Sequence, residues 1–321
     1  MVLVLVEHAG GKALDVSLQA LTLARSLAAG RPISALLVGG DGRTAADVLG
    51  AHGVTTAFVA DPQALRAFAP DAWAALLSVL ADQLSATAVM AAGTDRGHDV
   101  MGRLAARSGL PLAVNCVTAS AGPPVTLMRQ RWGGSLLEEA RLHSGRPLIT
   151  VAPHTIQIET AMESGPVEVK SFAPVLHDKD LAVMVAEHVA APSGGVSLAE
   201  AKVVVSGGRG VGSKEGFAII EELAGLLGAA VGCSRVVTSA GWRPHTDQVG
   251  QTGTKIAPEL YIACGISGAT QHMAGCKGAK RILAINADAE APIMMNADYA
   301  VVGDLREIVP AISAEIRRQR C

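Results

Sequence analysis

Through residue 108, short runs built almost wholly from Val, Ile, Leu and Ala alternate with longer segments whose apolar residues recur every three or four positions. The runs are "VLVLV" (2–6), "ISALLV" (33–38), "TTAFVA" (55–60) and "ATAVMAAG" (86–93), and the helical segments are 14–29, 43–50, 72–83 and 97–108. Continuously apolar strands between amphipathic helices predict a parallel sheet covered on both faces. After Pro111 the pattern changes to extended stretches at 112–118, 124–130, 135–142 and 147–151, separated by "AGPP", "WGG" and "HSGRP". Those turn residues predict antiparallel additions to the sheet.

A Pro/Ser/Gly-rich stretch, "AAPSGGVSLAEA" (190–201), interrupts the pattern, and a fresh strand begins at "KVVVSGG" (202–208). The expected division is an N-terminal α/β domain at 1–190, a linker at 191–201 and a C-terminal domain at 202–321. The second domain continues with a helix near 214–227, strands at 259–264, 280–285 and 298–302, a helix opening near Ser267 and a last helix from about 304. The fold class is therefore α/β, two domains with mainly parallel sheets flanked by helices, the C-terminal one doubly wound.

Composition narrows the partners. Half of the 321 residues are apolar, 17% are charged and the net charge is -2, so nothing marks a nucleic-acid or anionic-membrane surface. No apolar run is long enough for a membrane span. "MVLVLVEH" lacks a basic n-region and is too short for a signal sequence, so it is expected to be a buried first strand of a cytoplasmic protein. Cys116, Cys233, Cys264, Cys276 and Cys321 show no metal-ligand spacing and are expected to be free thiols.

Candidate chemistry concentrates in the second domain. "VVVSGGRGVGSKEG" (203–216) runs from a strand through a Gly-rich turn towards a helix, yet it fails the Walker pattern, with Ser213 where lysine is required. It also fails the dinucleotide fingerprint. Two readings stay open: a phosphate site with Arg209 as its cation, or a tight glycine turn with a solvated arginine. "YIACGISGATQHMAG" (261–275) is a second such turn, and two at one sheet edge point to a dinucleotide. Between them, 231–259 is polar and Gly-rich, as binding loops are. Its Ser234, Arg235, Gln248, Gln251 and Thr252 supply donors without a nucleophilic triad or a carboxylate pair. Such donors suit a flavin ring, with Arg235 and His272 as the available cations. A lone histidine such as His272 is more often a satisfied structural residue than a cofactor contact. Asn286 and Asp304 end two strands and could bind ribose or adenine, while Asp304 also reads as a helix N-cap.

These motifs resemble those of the electron-transfer flavoprotein alpha subunit. The likeness is densest in "VVSGGRG", "AAVGCSR", "DQVGQTG", "APELYIACGISGATQHMAGCK", "ILAINADAEAPI" and "ADYAVVGDL", and looser in N-terminal pieces such as "GHDVMGRLAARSGLPL". The family tends to carry a basic residue where His98 stands, and "RQRWGG" approximates its R-x-x-Y-A-G stretch. The resemblance implies FAD in the C-terminal domain and a beta subunit that holds AMP. By motif position it implies that Arg209 contacts the cofactor and that Ser234 and Arg235 lie at the isoalloxazine. It further implies that Gln248, Val249, Gly250, Gln251 and Thr252 run along the ring, with Thr252 near N5. Ser267, Gly268, Ala269, Thr270, Gln271 and His272 are implied to approach the pyrophosphate and ribityl side, with His272 near O2. Asn286, Asp304 and Leu305 are implied at the adenosine end. The implied role is to carry electrons from flavin dehydrogenases, such as acyl-CoA dehydrogenases of fatty acid oxidation, to a quinone-linked oxidoreductase, with no side-chain acid, base or nucleophile. A bifurcating variant, a stand-alone flavin oxidoreductase and a nucleotide-binding subunit without redox function are the alternatives.

Overall fold

The computed structural model describes residues 1–61, 65, 67–134, 136–162, 164–186, 197–199 and 201–320. The chain forms two compact units, Met1–His188 and Val189–Cys321. Most of the expected linker, 191–201, lies outside the described residues.

The first unit holds strands β1 (Val2–Leu5), β2 (Ile33–Val38), β3 (Val54–Ala60), β4 (Ala88–Ala92), β5 (Leu112–Ser120), β6 (Val125–Arg131), β7 (Leu136–Leu142), β8 (Leu148–Val151) and β9 (Glu168–Ser171). They form one nine-stranded sheet in the order β9-β3-β2-β1-β4-β8-β5-β6-β7. β1 lies parallel to both β2 and β4, in the middle of the sheet. Its side chains alternate between two cores: Val2 and Val4 pack with α1 (Asp15–Ala28), and Leu3 and Leu5 with α2 (Pro70–Gln83) and α3 (Asp95–Ser108). Burial on both faces is why the run carries no polar alternation.

Three departures from the expected pattern have physical causes. Stretch 43–50 is not one helix; a short helix, Gly42–Ala46, and a 3-10 turn, Leu49–His52, replace it, and Gly53 at φ +88° ends the turn. Stretches 112–118, 124–130 and 135–142 do form an antiparallel meander. Stretch 147–151 is instead inserted between β4 and β5 as β8, parallel to both. Its "LITV" is wholly buried, which matches a central parallel strand and not an added edge. β9 carries no apolar run, because it is an exposed edge strand paired only with β3.

The second unit alternates β10 (Val203–Gly207), α4 (Ala218–Leu227), β11 (Ala230–Cys233), α5 (Arg235–Ser239), β12 (Leu260–Cys264), α6 (Thr270–Cys276), β13 (Ile282–Asn286), α7 (Pro292–Met295), β14 (Tyr299–Val302) and α8 (Leu305–Arg320). All five strands are parallel, in the order β11-β10-β12-β13-β14. One face packs Val205, Ile262 and Ile285 against α4 and α8; the other packs Val204, Tyr261 and Ala284 against α6 and α7. This doubly wound order reverses direction between β10 and β12, and a crevice opens at the carboxyl ends of strands at such a reversal. β11 starts the stretch expected to be loop, since "AVGC" is too small in side-chain volume to register as an apolar run.

Candidate functional site

At that strand edge lies a cavity of about 600 Å3. Its wall takes Arg209 and Gly210 from the turn after β10, Ser234 to Val236 from the start of α5, Gln248 to Thr252 from the long loop, Gly265 to Ser267 from the turn after β12, Ala269, Gln271 and His272 from α6, and Asn286, Asp288 and Ala291 after β13. Every strand end from β10 to β13 contributes.

The glycines at the two turns are required by contact between the turns. Gly208 N–H donates to the Cys264 carbonyl at 2.8 Å and Gly210 N–H to the Gly265 carbonyl at 3.0 Å. A Cβ on Gly208 would sit 2.7 Å from Ile266 Cα, and one on Gly210 would sit 2.7 Å from Gly265 Cα. The Gly-rich turn after β10 is thus clasped backbone to backbone against the turn after β12, which leaves the Arg209 side chain exposed at the cavity. Of the two readings of that turn, the glycine need is accounted for by packing, and Arg209 remains as a cation facing the cavity.

The loop before β12 is anchored as firmly. Val249 N–H donates to the Cys233 carbonyl at 2.9 Å, Gln251 N–H to the Gln271 carbonyl at 2.7 Å and Ile256 N–H to the Gly275 carbonyl at 2.8 Å. Gly275 packs directly on the Gly250 backbone, with no room for a side chain between loop and helix. Gln248 is 2% exposed and joins Thr238 Oγ1, at 2.7 Å, to Thr252 Oγ1, at 3.0 Å. These side chains are therefore held in place before any ligand arrives, which lowers the ordering cost of binding.

Charge at the cavity is uneven. Arg209 and Arg235 are exposed, and neither pairs with a carboxylate among the described residues. Asp288 is the carboxylate on the wall, and sequence reasoning missed it; its Oδ1 accepts from Glu290 N–H at 2.9 Å. His272, 7% exposed, does not act as a cation: burial pushes its pKa down to about 4, only partly opposed by the Val249 backbone. Its Nε2 lies 2.7 Å from the Tyr261 hydroxyl.

Thirteen of the seventeen residues expected at a cofactor line this one cavity; Gly268, Thr270, Asp304 and Leu305 do not. Gly268 is packed under Ile293, and Thr270 is exposed at the first turn of α6. Asp304 caps α8, accepting from Arg306 N–H at 2.9 Å, and Leu305 is a core residue under the Gly265 turn. Asn286 lines the wall while its amide donates to the Ile266 carbonyl at 2.9 Å. The motif reading also passed over Val236, Ile266 and Ala291, whose only signal was adjacency to polar candidates. The described residues contain no cluster of His, Cys, Asp and Glu able to hold a metal.

Two family models match the chain: the electron transfer flavoprotein domain over residues 2–177 and the electron transfer flavoprotein FAD-binding domain over residues 197–277. The second covers most of the cavity wall. The chain is 39% identical to the electron transfer flavoprotein subunit alpha of Mycobacterium leprae over 99% of this chain and 98% of that one. It is 40% identical to the subunit of that name from Mycobacterium tuberculosis, over 99% of each chain, and 36% identical to that from Bacillus subtilis, over 99% and 97%. With matches running through both units and nearly the full length of each relative, the chain belongs to the electron transfer flavoprotein alpha-subunit family.

Proposed function

We propose that this chain is the FAD-carrying subunit of a heterodimer, that its beta-subunit partner holds AMP, and that it relays electrons from flavin dehydrogenases to a quinone-linked oxidoreductase. The observation that carries the reading is the cavity at the β10/β12 reversal, walled by preset amide and hydroxyl groups and by two guanidinia with no carboxylate partner among the described residues. Its volume lies within the range of cofactor sites. Bound there, FAD would supply the redox chemistry itself.

The chain's own residues have three tasks. Arg235 and Arg209 place positive charge where the negative charge of a diphosphate or a reduced ring would otherwise be unopposed. Gln248 and Thr252, fixed by their mutual hydrogen bond, present polar groups to a heteroaromatic ring, while the buried Val249 and Ile266 exclude water. Ser267 and Asn286, on the turns after β12 and β13, supply polar contacts for the nucleotide end. No proton-transfer pair is needed for electron relay; on the wall the histidine is buried, with its pKa pushed down to about 4, and the carboxylate of Asp288 is exposed.

The test is purification with the neighbouring subunit, followed by a visible spectrum and FAD titration. One FAD per heterodimer in the oxidised flavin bands, displaced by no other dinucleotide, is the expected result. A colourless complex that takes up no FAD would refute the cofactor assignment, and a chain that purifies alone with flavin and turns over a small substrate would refute the carrier role.

A further inference from the structure

The cavity wall is polarised along the sheet edge. Its cations stand at one end: Arg235 opens α5 after β11, and Arg209 sits in the turn after β10. Its carboxylate, Asp288, stands on the turn after β13. His272, the remaining titratable wall residue, is buried with its pKa pushed down to about 4, so the positive charge is that of the two guanidinia. In the strand order β11-β10-β12-β13, the strand before Asp288 lies two places from that of Arg209 and three from that of Arg235. At about 4.8 Å per strand, those strand ends are about 10 Å and about 14 Å apart. A single anion does not span that edge; an elongated ligand with one anionic and one neutral end does.

Asp288 is held in place by its turn, and the turn does not need its charge. Asn286 Oδ1 accepts from Asp288 N–H at 3.1 Å, and Asp288 Oδ1 accepts from Glu290 N–H at 2.9 Å. An asparagine would close the second turn equally well. Oδ2 takes no hydrogen bond and the group makes no ion pair among the described residues, while the side chain is exposed at the wall. A carboxylate accepts from hydroxyls and repels phosphate. We propose, on the reading of this cavity as the FAD site, that Asp288 is a specificity-determining residue at the nucleoside end, accepting from the ribose diol and rejecting a ribose that carries phosphate. The ligand is thereby read in one direction, its anionic part over β11 and β10 and its neutral hydroxylated part over β13. A dinucleotide phosphorylated on its adenosine ribose is turned away by charge.

The experiment titrates the full chain in complex with its partner subunit, freed of FAD, by flavin fluorescence. Three ligands are compared: FAD, FAD with a 2′-phosphate on its adenosine ribose, and FAD built on 2′,3′-dideoxyadenosine. Ratios of dissociation constants within one protein are read, because they cancel any general effect of a substitution on FAD binding. In the wild type both analogues bind about tenfold more weakly than FAD, as charge repulsion and loss of a charge-assisted hydrogen bond predict. In Asp288→Asn, which keeps the turn acceptor, both penalties fall to about threefold or less. In Glu290→Gln, which removes a neighbouring exposed carboxylate that is off the wall, both persist. The wild-type phosphate penalty also shrinks as salt is raised, which a steric penalty would not do. Wild-type affinity equal for FAD and either analogue, penalties undiminished in Asp288→Asn or lost in Glu290→Gln, or a phosphate penalty indifferent to salt would overturn the proposal. The wild-type ratios and their salt dependence decide even if Asp288→Asn does not fold. A wild-type complex that takes up no FAD refutes the cofactor reading instead.

Discussion

The two units of this chain are both parallel α/β sheets with polar groups gathered at the carboxyl edge, yet they use those groups in opposite ways. At the edge of the first unit many of the groups pair with one another, although the Asn115 side-chain oxygen is buried without a hydrogen bond. Glu7 accepts from Thr94 Oγ1 at 2.5 Å, and its N–H donates to Ser17 Oγ at 2.9 Å. His98 Nε2 meets Thr150 Oγ1 at 3.1 Å, and the Asn115 N–H reaches the same oxygen at 3.0 Å. At the edge of the second unit, Arg209 and Arg235 have no carboxylate partner among the described residues, and a cavity of about 600 Å3 separates the strand ends. Similar topology gives a closed edge in one unit and an open one in the other; what differs is whether the polar groups there are consumed internally.

Four changes would break or sharpen that contrast. The largest effect is expected where the two glycine turns clasp. Gly208→Ala drives a methyl into the Ile266 and Gly265 backbone, and should lower the stability of the second unit by about 4 kcal/mol in urea unfolding. Gly102→Ala, on an open face of α3 in the first unit, should instead gain up to about 1 kcal/mol.

The second effect is a pH dependence carried by His272. Its folded pKa of about 4 lies below the ordinary 6.5, so the unfolded chain binds the proton first and stability falls as pH drops from about 6.5 towards about 4. The loss over that window should approach about 3 kcal/mol, and His272→Gln should flatten it in urea titrations taken at successive pH values.

Third, Arg235→Ala should weaken FAD binding about tenfold, with a greater loss for reduced than for oxidised flavin and no change in melting temperature. Equal weakening of both redox forms would show that the guanidinium only grips the cofactor and does not favour the ring's negative charge.

The smallest effect belongs to the closed edge. Burial raises the Glu7 pKa, with the Thr94 hydrogen bond and Arg96 opposing it, so the folded state holds a proton that the unfolded state has released. Stability is therefore lost as pH rises from the usual carboxylate value, 4.5, to the raised folded pKa. Glu7→Gln keeps an acceptor for Thr94 and should stabilise the first unit at pH 7 by about 1 kcal/mol, with FAD affinity unchanged.

The strands of this fold were legible wherever burial on both faces left an unbroken apolar run, as in "VLVLV" and "ISALLV". Sheet order was less so. β8 enters the sheet between β4 and β5 because of tertiary pairing that no local turn signal encodes. β9 and β11 escaped notice because one is polar and exposed and the other is made of small residues. At the site, polar residues next to glycine were readable, because backbone approach and hydrogen bonding leave a compositional mark. The purpose of the glycines was not, since the clasp between Gly208 and Gly265 joins turns 57 residues apart in sequence. Nor was the charge state of His272, which depends on burial against Tyr261 and not on its neighbours along the chain.

The most direct test of the open-edge account is FAD titration of the heterodimer by flavin fluorescence, comparing the wild type with Arg235→Ala and Thr252→Val at one edge and Thr150→Val at the other. The account predicts one site, about tenfold weaker in Arg235→Ala, weaker in Thr252→Val and unaltered in Thr150→Val. Undiminished affinity in both second-unit variants, or affinity lost through Thr150→Val alone in a folded complex, would contradict it.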